Sequence, residues 1–169
     1  FKGELYPVNP KEDSILGFKC YKSLSKIRDE IELIVIIVPA TVVPSVMEEA
    51  VAKKVKTAVI ISSGFKEVGN KELEDQVMAI AKKGGIRVLG PNCLGVYYSK
   101  TGIDTLFLPE TKTLTTGDDV VATPRPMPGN IAMITQSGAF GVAALDYLTG
   151  RQMGVSKFVS FGNKSDVSE

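Results

Sequence analysis

Four short loops carry most of the chemistry that this sequence can offer: Asn9-Pro10-Lys11, Pro39-Ala40-Thr41, Ser62-Ser63-Gly64-Phe65 and Gly90-Pro91-Asn92-Cys93-Leu94-Gly95. Each follows a short apolar run and is built from small, polar or Gly/Pro residues. Small side chains let a ligand approach the backbone, and free backbone N–H groups can then hold phosphate. Lys11 adds a cationic head that could contact a phosphate or simply stay solvated. Any one of these loops can be a plain chain reversal. Four together shift the balance towards a nucleotide-like ligand, although neither GxGxxG nor a Walker A motif occurs.

A fifth turn, Ile134-Thr135-Gln136-Ser137-Gly138-Ala139-Phe140, joins a strand-like run to a helical one. It is not a nucleophile elbow, which needs glycine two residues either side of the serine. Ser137 is expected as a helix N-cap, and the first helical amides can face an anion or only water. The chain has no histidine, so the commonest general base and metal ligand is missing, and no metal site is expected. Without a histidine to activate it, Cys93 is expected to be structural.

The elements that must position these loops follow from the apolar pattern. The runs at 33–38 and 58–61 are continuous and β-branched, as in strands buried on both faces of a parallel sheet. Shorter runs at 5–8 and 86–89 extend the series. A helix is expected at about 41–54, capped by Thr41, with Pro44 harmless in its first turn. Another is expected at about 70–83, stopped by Gly84-Gly85. Strand, helix, strand at this spacing predicts an α/β fold with a parallel sheet. Residues 96–99 and 105–108 suggest an antiparallel excursion around Gly102. The Thr- and Pro-rich stretch through Thr123-Pro124-Arg125-Pro126-Met127-Pro128 is expected as a linker. Beyond it strand 131–135, helix 137–149 and strand 157–161 resume the pattern, with a domain boundary near residue 125: 1–125, then 126–169.

The bulk numbers exclude several classes. With 169 residues, 44% hydrophobic, 23% charged and a net charge of +1, the composition is that of an ordinary globular protein and carries no nucleic-acid or polybasic membrane signature. The longest apolar run, residues 31–40, contains Glu32 and Pro39 and is too short for a membrane span. Two distant cysteines give no disulfide framework, and a cytoplasmic setting is expected. The start at Phe1 and the stop at Glu169 both suggest a piece of a longer protein.

Taken in order, Tyr6-Pro7-Val8-Asn9-Pro10-Lys11, Val38-Pro39-Ala40, Ile61-Ser62-Ser63-Gly64-Phe65-Lys66-Glu67, Gly90-Pro91-Asn92-Cys93-Leu94-Gly95, Thr135-Gln136-Ser137-Gly138-Ala139-Phe140 and Phe161-Gly162-Asn163-Lys164-Ser165-Asp166-Val167 resemble the ADP-forming acetyl-CoA (acyl-CoA) synthetases of the succinyl-CoA synthetase superfamily. The resemblance covers essentially the whole chain. It implies an N-terminally truncated Rossmann-like CoA-binding domain followed by the start of a flavodoxin-like α/β domain. The family interconverts acyl-CoA, ADP and phosphate with acid, ATP and CoA through a phosphohistidine, which would lie outside this chain. By the same resemblance Lys11 would contact CoA phosphate or ribose, and Val38, Pro39 and Ala40 would flank its adenine or diphosphate. Ser62, Ser63, Gly64 and Phe65 would line the pantetheine path, and Asn92 would lie near the thioester. Ser137 and Gly138 would open the helix that holds the phosphate. The partners implied are acyl-CoA, a short-chain acid and an ATP-grasp β subunit or fused domain, which would bind ADP or ATP with Mg2+ outside this chain; an oligomer is expected. The piece by itself is expected to be inactive. The competing reading is a CoA-binding sensor domain of a protein acetyltransferase.

Overall fold

A computed structural model describes residues 1–168. The first layer is a parallel sheet of β3 (Leu33–Ile36), β4 (Thr57–Ile60) and β5 (Arg87–Leu89), in that spatial order. Leu33 is in register with Thr57, and Thr57 with Arg87. A small hairpin, β1 (Ser14–Ile15) and β2 (Phe18–Lys19), precedes the sheet. Helices α1 (Val43–Ala52) and α2 (Lys71–Gly84) cross between the parallel strands. They cover one face, where Ile34, Ile36, Ala58, Ile60 and Val88 meet Val43, Met47, Ala50, Val77 and Ala81. The i, i+4, i+7 spacing of Val43, Met47 and Ala50 makes the buried stripe of α1. On the opposite face Val59, Leu89, Cys93 and Phe161 form a smaller cluster.

Residues 5–8 form no strand; a single parallel bridge joins Val8 to Tyr21. Pro7 and Pro10 lack the N–H that a ladder needs, and Leu5 stays 55% exposed, so little is gained by pairing. The loop at Asn9-Pro10-Lys11 therefore does not follow a strand of the sheet. Thr41 is not the cap of α1. A 3-10 turn over Ala40–Val42 comes first, closed by the Val42 N–H on the Pro39 carbonyl at 2.8 Å, and Val42 caps without a side-chain bond. Pro44 does lie in the first turn of the helix. Gly85 ends α2 in the left-handed conformation, with φ +68, as the sequence predicted.

After β5 the chain leaves the first sheet. β6 (Gly95–Tyr98) and β7 (Ile103–Asp104) form the antiparallel excursion, turning at Gly102, with the second strand at 103–104 and not at the expected 105–108. β8 (Thr111–Thr113) and β9 (Asp119–Val121) make a separate hairpin. β10 (Pro128–Thr135), α3 (Gly138–Gly150) and β11 (Val155–Ser160) follow as a βαβ unit. The second sheet has the order β10-β11-β6-β7. β10 and β11 are parallel, whereas β11 runs antiparallel to β6. The Pro-rich stretch packs down onto this sheet. Tyr97 donates to the Pro126 carbonyl at 2.8 Å, and Arg125 bonds Asp104, Thr123 O and Leu108 O. No helix among the described residues is long and apolar enough to cross a membrane.

Candidate functional site

The carboxyl ends of β3, β4 and β5 carry three loops that are laced to one another. The Ser62 hydroxyl donates to the Val38 carbonyl at 2.6 Å, tying the loop after β4 to the loop after β3. The Asn92 N–H donates to the Ser62 carbonyl at 3.0 Å, tying the loop after β5 to both. Gly90 makes the last step possible. Its φ is +103, and a Cβ there would collide with the Ile60 carbonyl, so no other residue fits the backbone this close. Beside it the Cys93 thiol faces the same carbonyl at 3.3 Å. Burial pushes Cys93 up to about 12, which makes it a poor nucleophile and supports the structural role expected for it.

These loops form one wall of a cleft of about 990 Å³. Val38, Pro39, Ser62, Ser63 and Asn92 line that wall. The second sheet supplies the opposite wall through Gln136, Ser137, Gly138 and Ala139, with Val142 behind them and Phe107 and Leu108 at the side. Ser137 caps α3, its hydroxyl accepting the Phe140 N–H at 3.2 Å. The amides of Gly138 and Ala139, being the first of the helix, have no helical carbonyl to bond, and the aligned peptide dipoles leave partial positive charge there. None of the residues lining the cleft is charged. An anion bound here would be held by backbone amides, hydroxyls and carboxamides.

The structure thus brings Val38, Pro39, Ser62, Ser63, Asn92, Ser137 and Gly138 to one cleft. The other four residues lie elsewhere. Ala40 sits in the 3-10 turn behind Pro39, and Gly64 follows Ser63 with φ +110, its added Cβ meeting Ala40 at 3.0 Å. Phe65 turns inwards and is 0% exposed in the core of the first sheet. Lys11 is exposed on a loop whose amide bonds the Asn9 side chain, and it does not line the cleft.

Sequence reasoning passed over two features. The first is Phe107, 58% exposed at the cleft's side, in a segment that reads from sequence as a strand but lies beyond the end of β7. The second is a buried polar network behind the Ser63 loop. Glu74, 4% exposed on α2, pairs with Lys66 at 2.9 Å and accepts from Asn163 at 2.9 Å and from the Ser165 hydroxyl. Burial pushes its carboxyl up, but the bonds from Ser165, Lys66 and Asn163 outweigh that and hold it below its ordinary value. Glu67 behaves alike: burial opposes ionisation, while Asn163, Gly64 and Phe65 favour it and win. A carboxylate at position 74 in a helical stripe otherwise ending in Val77 and Ala81 was the available signal, since a buried acid needs partners.

The family described as CoA binding domain matches residues 2–99. The chain belongs to this CoA-binding family. The family described as succinyl-CoA ligase like flavodoxin domain matches residues 128–169. An ADP-forming acetate–CoA ligase of Methanocaldococcus jannaschii is 46% identical over 169 residues, and this chain covers 22% of it. The alpha subunit of an ADP-forming acetate–CoA ligase I of Pyrococcus furiosus is 42% identical, with 35% of its length covered. Among solved structures, acetyl-coenzyme A synthetase 1 of Ca. Korarchaeum cryptofilum in complex with phosphate and ADP superimposes with a TM-score of 0.87 at 40% identity, covering all of this chain and 33% of that one. The chain therefore spans between about a fifth and about a third of these relatives. The α/β fold with a parallel, Rossmann-like first sheet agrees with the expectation from sequence.

Proposed function

We propose that this chain is the CoA-binding part of an ADP-forming acyl-CoA synthetase, with residues 1–125 forming the CoA-binding unit and its linker and 126–169 opening the ligase domain. The observation that carries this reading is the cleft itself. Three interlocked strand-end loops with small side chains face the free N-terminus of α3 across a space with no charged lining. An elongated ligand with phosphates at one end and a thiol or thioester at the other suits such a groove. Val38 and Pro39 flank its nucleotide part, Ser62 and Ser63 line the pantetheine path, and Asn92 stands near the thioester, while Ala40, Gly64 and the buried Phe65 only shape the backbone behind them. The named relatives are ligases, which favours this reading over an acetyltransferase sensor.

The whole protein would exchange acyl-CoA, ADP and phosphate for a short-chain acid, ATP and CoA. Its phosphohistidine and its ATP-grasp module, holding the nucleotide and Mg2+, would lie outside these 169 residues, in a fused domain or a separate subunit of a cytoplasmic oligomer. The α3 N-terminus would receive the phosphate at Ser137 and Gly138, using peptide dipoles in place of a basic side chain. Calorimetric titration of the chain with CoA tests the reading directly: saturable binding is expected, and its absence overturns it. Lys11→Ala decides the lysine's part. A loss of about tenfold in CoA affinity keeps Lys11 as a phosphate contact, and unchanged affinity removes it.

A further inference from the structure

We propose that Asn163 is a positioning residue for the cleft, a role that rests on the CoA reading above. Its carboxamide couples two ligand-facing loops of the first sheet through residues contributed by the end of the second. Asn163 is 7% exposed and follows β11. Its Nδ2 group donates to Glu67 Oε2 at 2.6 Å and to Glu74 Oε2 at 2.9 Å. The second oxygen of Glu67 accepts the amides of Gly64 and Phe65, the latter at 3.1 Å, and so fixes the turn after Ser63. On the other side, Asn163 Oδ1 accepts from the Asn92 side chain at 3.4 Å, and the Asn163 N–H donates to the Pro91 carbonyl at 2.9 Å. Gly162 brings the segment this close. A Cβ at Gly162 would collide with the carbonyls of Pro91 and Asn92. One planar group thus links the Ser63-Gly64-Phe65 turn to Asn92, and both Ser63 and Asn92 line the cleft.

The chemistry of the side chain is matched to the task. Two carboxylate oxygens need donors, while the Asn92 amide needs an acceptor, and a carboxamide supplies both from one plane. An aspartate would present only acceptors to Glu67 and Glu74, and an alanine would leave their oxygens short of donors.

A purely structural strap would not need this arrangement, because the same segment has its own fastening further along. Asp166 Oδ2 accepts from Arg87 Nε at 2.9 Å and from the Val88 N–H at 2.7 Å, and the Val167 N–H reaches the Val88 carbonyl at 3.3 Å. Those bonds fall on β5, away from the cleft-lining residues. Docking and positioning are therefore separable by mutation.

The test uses the 169-residue chain, CoA titration and thermal melts. Asn163→Asp and Asn163→Ala are expected to weaken CoA binding by about tenfold or more. Asp166→Asn is expected to lower the melting temperature while leaving CoA affinity within about twofold of wild type. Folded Asn163 variants with wild-type affinity overturn the proposal, as does an equal loss from Asp166→Asn, which would make the strap a stability device alone. Should the Asn163 variants not fold, Glu67→Ala at an exposed position cuts the same path. It is expected to weaken CoA binding several-fold, and wild-type affinity there is equally decisive against the role. A wild-type chain that does not bind CoA overturns the underlying reading instead.

Discussion

The two sheets face one cleft but are consolidated differently. In the first, two helices lie on a parallel sheet and bury a continuous cluster from Leu24 to Val88, with Val43, Met47, Ala50, Ala58, Ile60, Phe65 and Val77 fully excluded from water. In the second, one helix lies on a mixed sheet, and its buried residues are Gly141 and Leu145, while Phe140 and Tyr147 stay 64% and 59% exposed. The core there is small: Leu94, Leu106, Leu145, Val155 and Phe158. Loops on the first sheet are thus held by the sheet's own packing and by side chain–backbone lacing, whereas α3 presents backbone amides from a lightly covered helix. Dense burial suits loops that must hold a shape, and a helix N-terminus needs little more than its cap.

Aromatic truncation gives the sharpest contrast. Phe65→Ala is expected to cost about 3–5 kcal/mol in urea unfolding, because a fully buried ring leaves a cavity. Phe140→Ala, at the exposed start of α3, is expected to change stability by less than about 0.5 kcal/mol. Comparable losses at the two sites would erase the distinction between the sheets.

A smaller effect is expected from acid. Glu67, Glu74 and Asp166 are all held below their ordinary values. For Asp166, burial works against this, and the Arg87 and Val88 bonds prevail. A carboxyl with a depressed folded-state value stabilises above its unfolded value and loses that contribution as pH falls through the folded one. Stability should therefore hold above about pH 4–5 and decline below that. Glu74→Gln is expected to cost about 1–3 kcal/mol at neutral pH and to flatten the decline. A steeper acid slope in the variant would mean that other carboxylates dominate.

Next in size is the helix cap. Ser137→Ala is expected to lower stability by about 1 kcal/mol, read by denaturant titration of the chain with and without CoA. The smallest signal is chemical. Cys93, with its thiol pushed up to about 12 and its side chain buried, should resist alkylation at pH 8 in the native chain and react once urea exposes it. Rapid native labelling would mean that the loop after β5 opens.

Local patterns made much of this legible from sequence. The β-branched runs reported β3 and β4, Gly84-Gly85 reported the end of α2, and the Ser137 cap was correct to the residue. The loops that meet at the cleft could be read because parallel strands deliver their carboxyl ends to one edge. What could not be read depends on partners far away in sequence. Residues 5–8 look like a strand until one asks what they would pair with. Phe65 sits in a polar, small-residue turn and reads as ligand-facing, yet its ring turns into the core beneath α1 and α2. Nothing in the local pattern around Lys66, Glu67 and Glu74 announces the partner of their network, since that common partner, Asn163, lies 89 to 97 positions later.

That separation has a temporal meaning. During synthesis the three parallel strands and both covering helices are complete by residue 89, but Asn163 and Ser165, which donate to Glu74, emerge more than seventy residues later. Until then an ionised acid stands on α2 without two of its donors, and Glu67, whose other oxygen holds the amides of Gly64 and Phe65, lacks its bond from Asn163. Contacts this distant close late because a long loop must be ordered first. A ribosome-bound intermediate stalled before residue 160 should therefore carry a formed first sheet with a loose Ser63 turn, and amide exchange at Gly64 and Phe65 would record the moment at which the tail arrives.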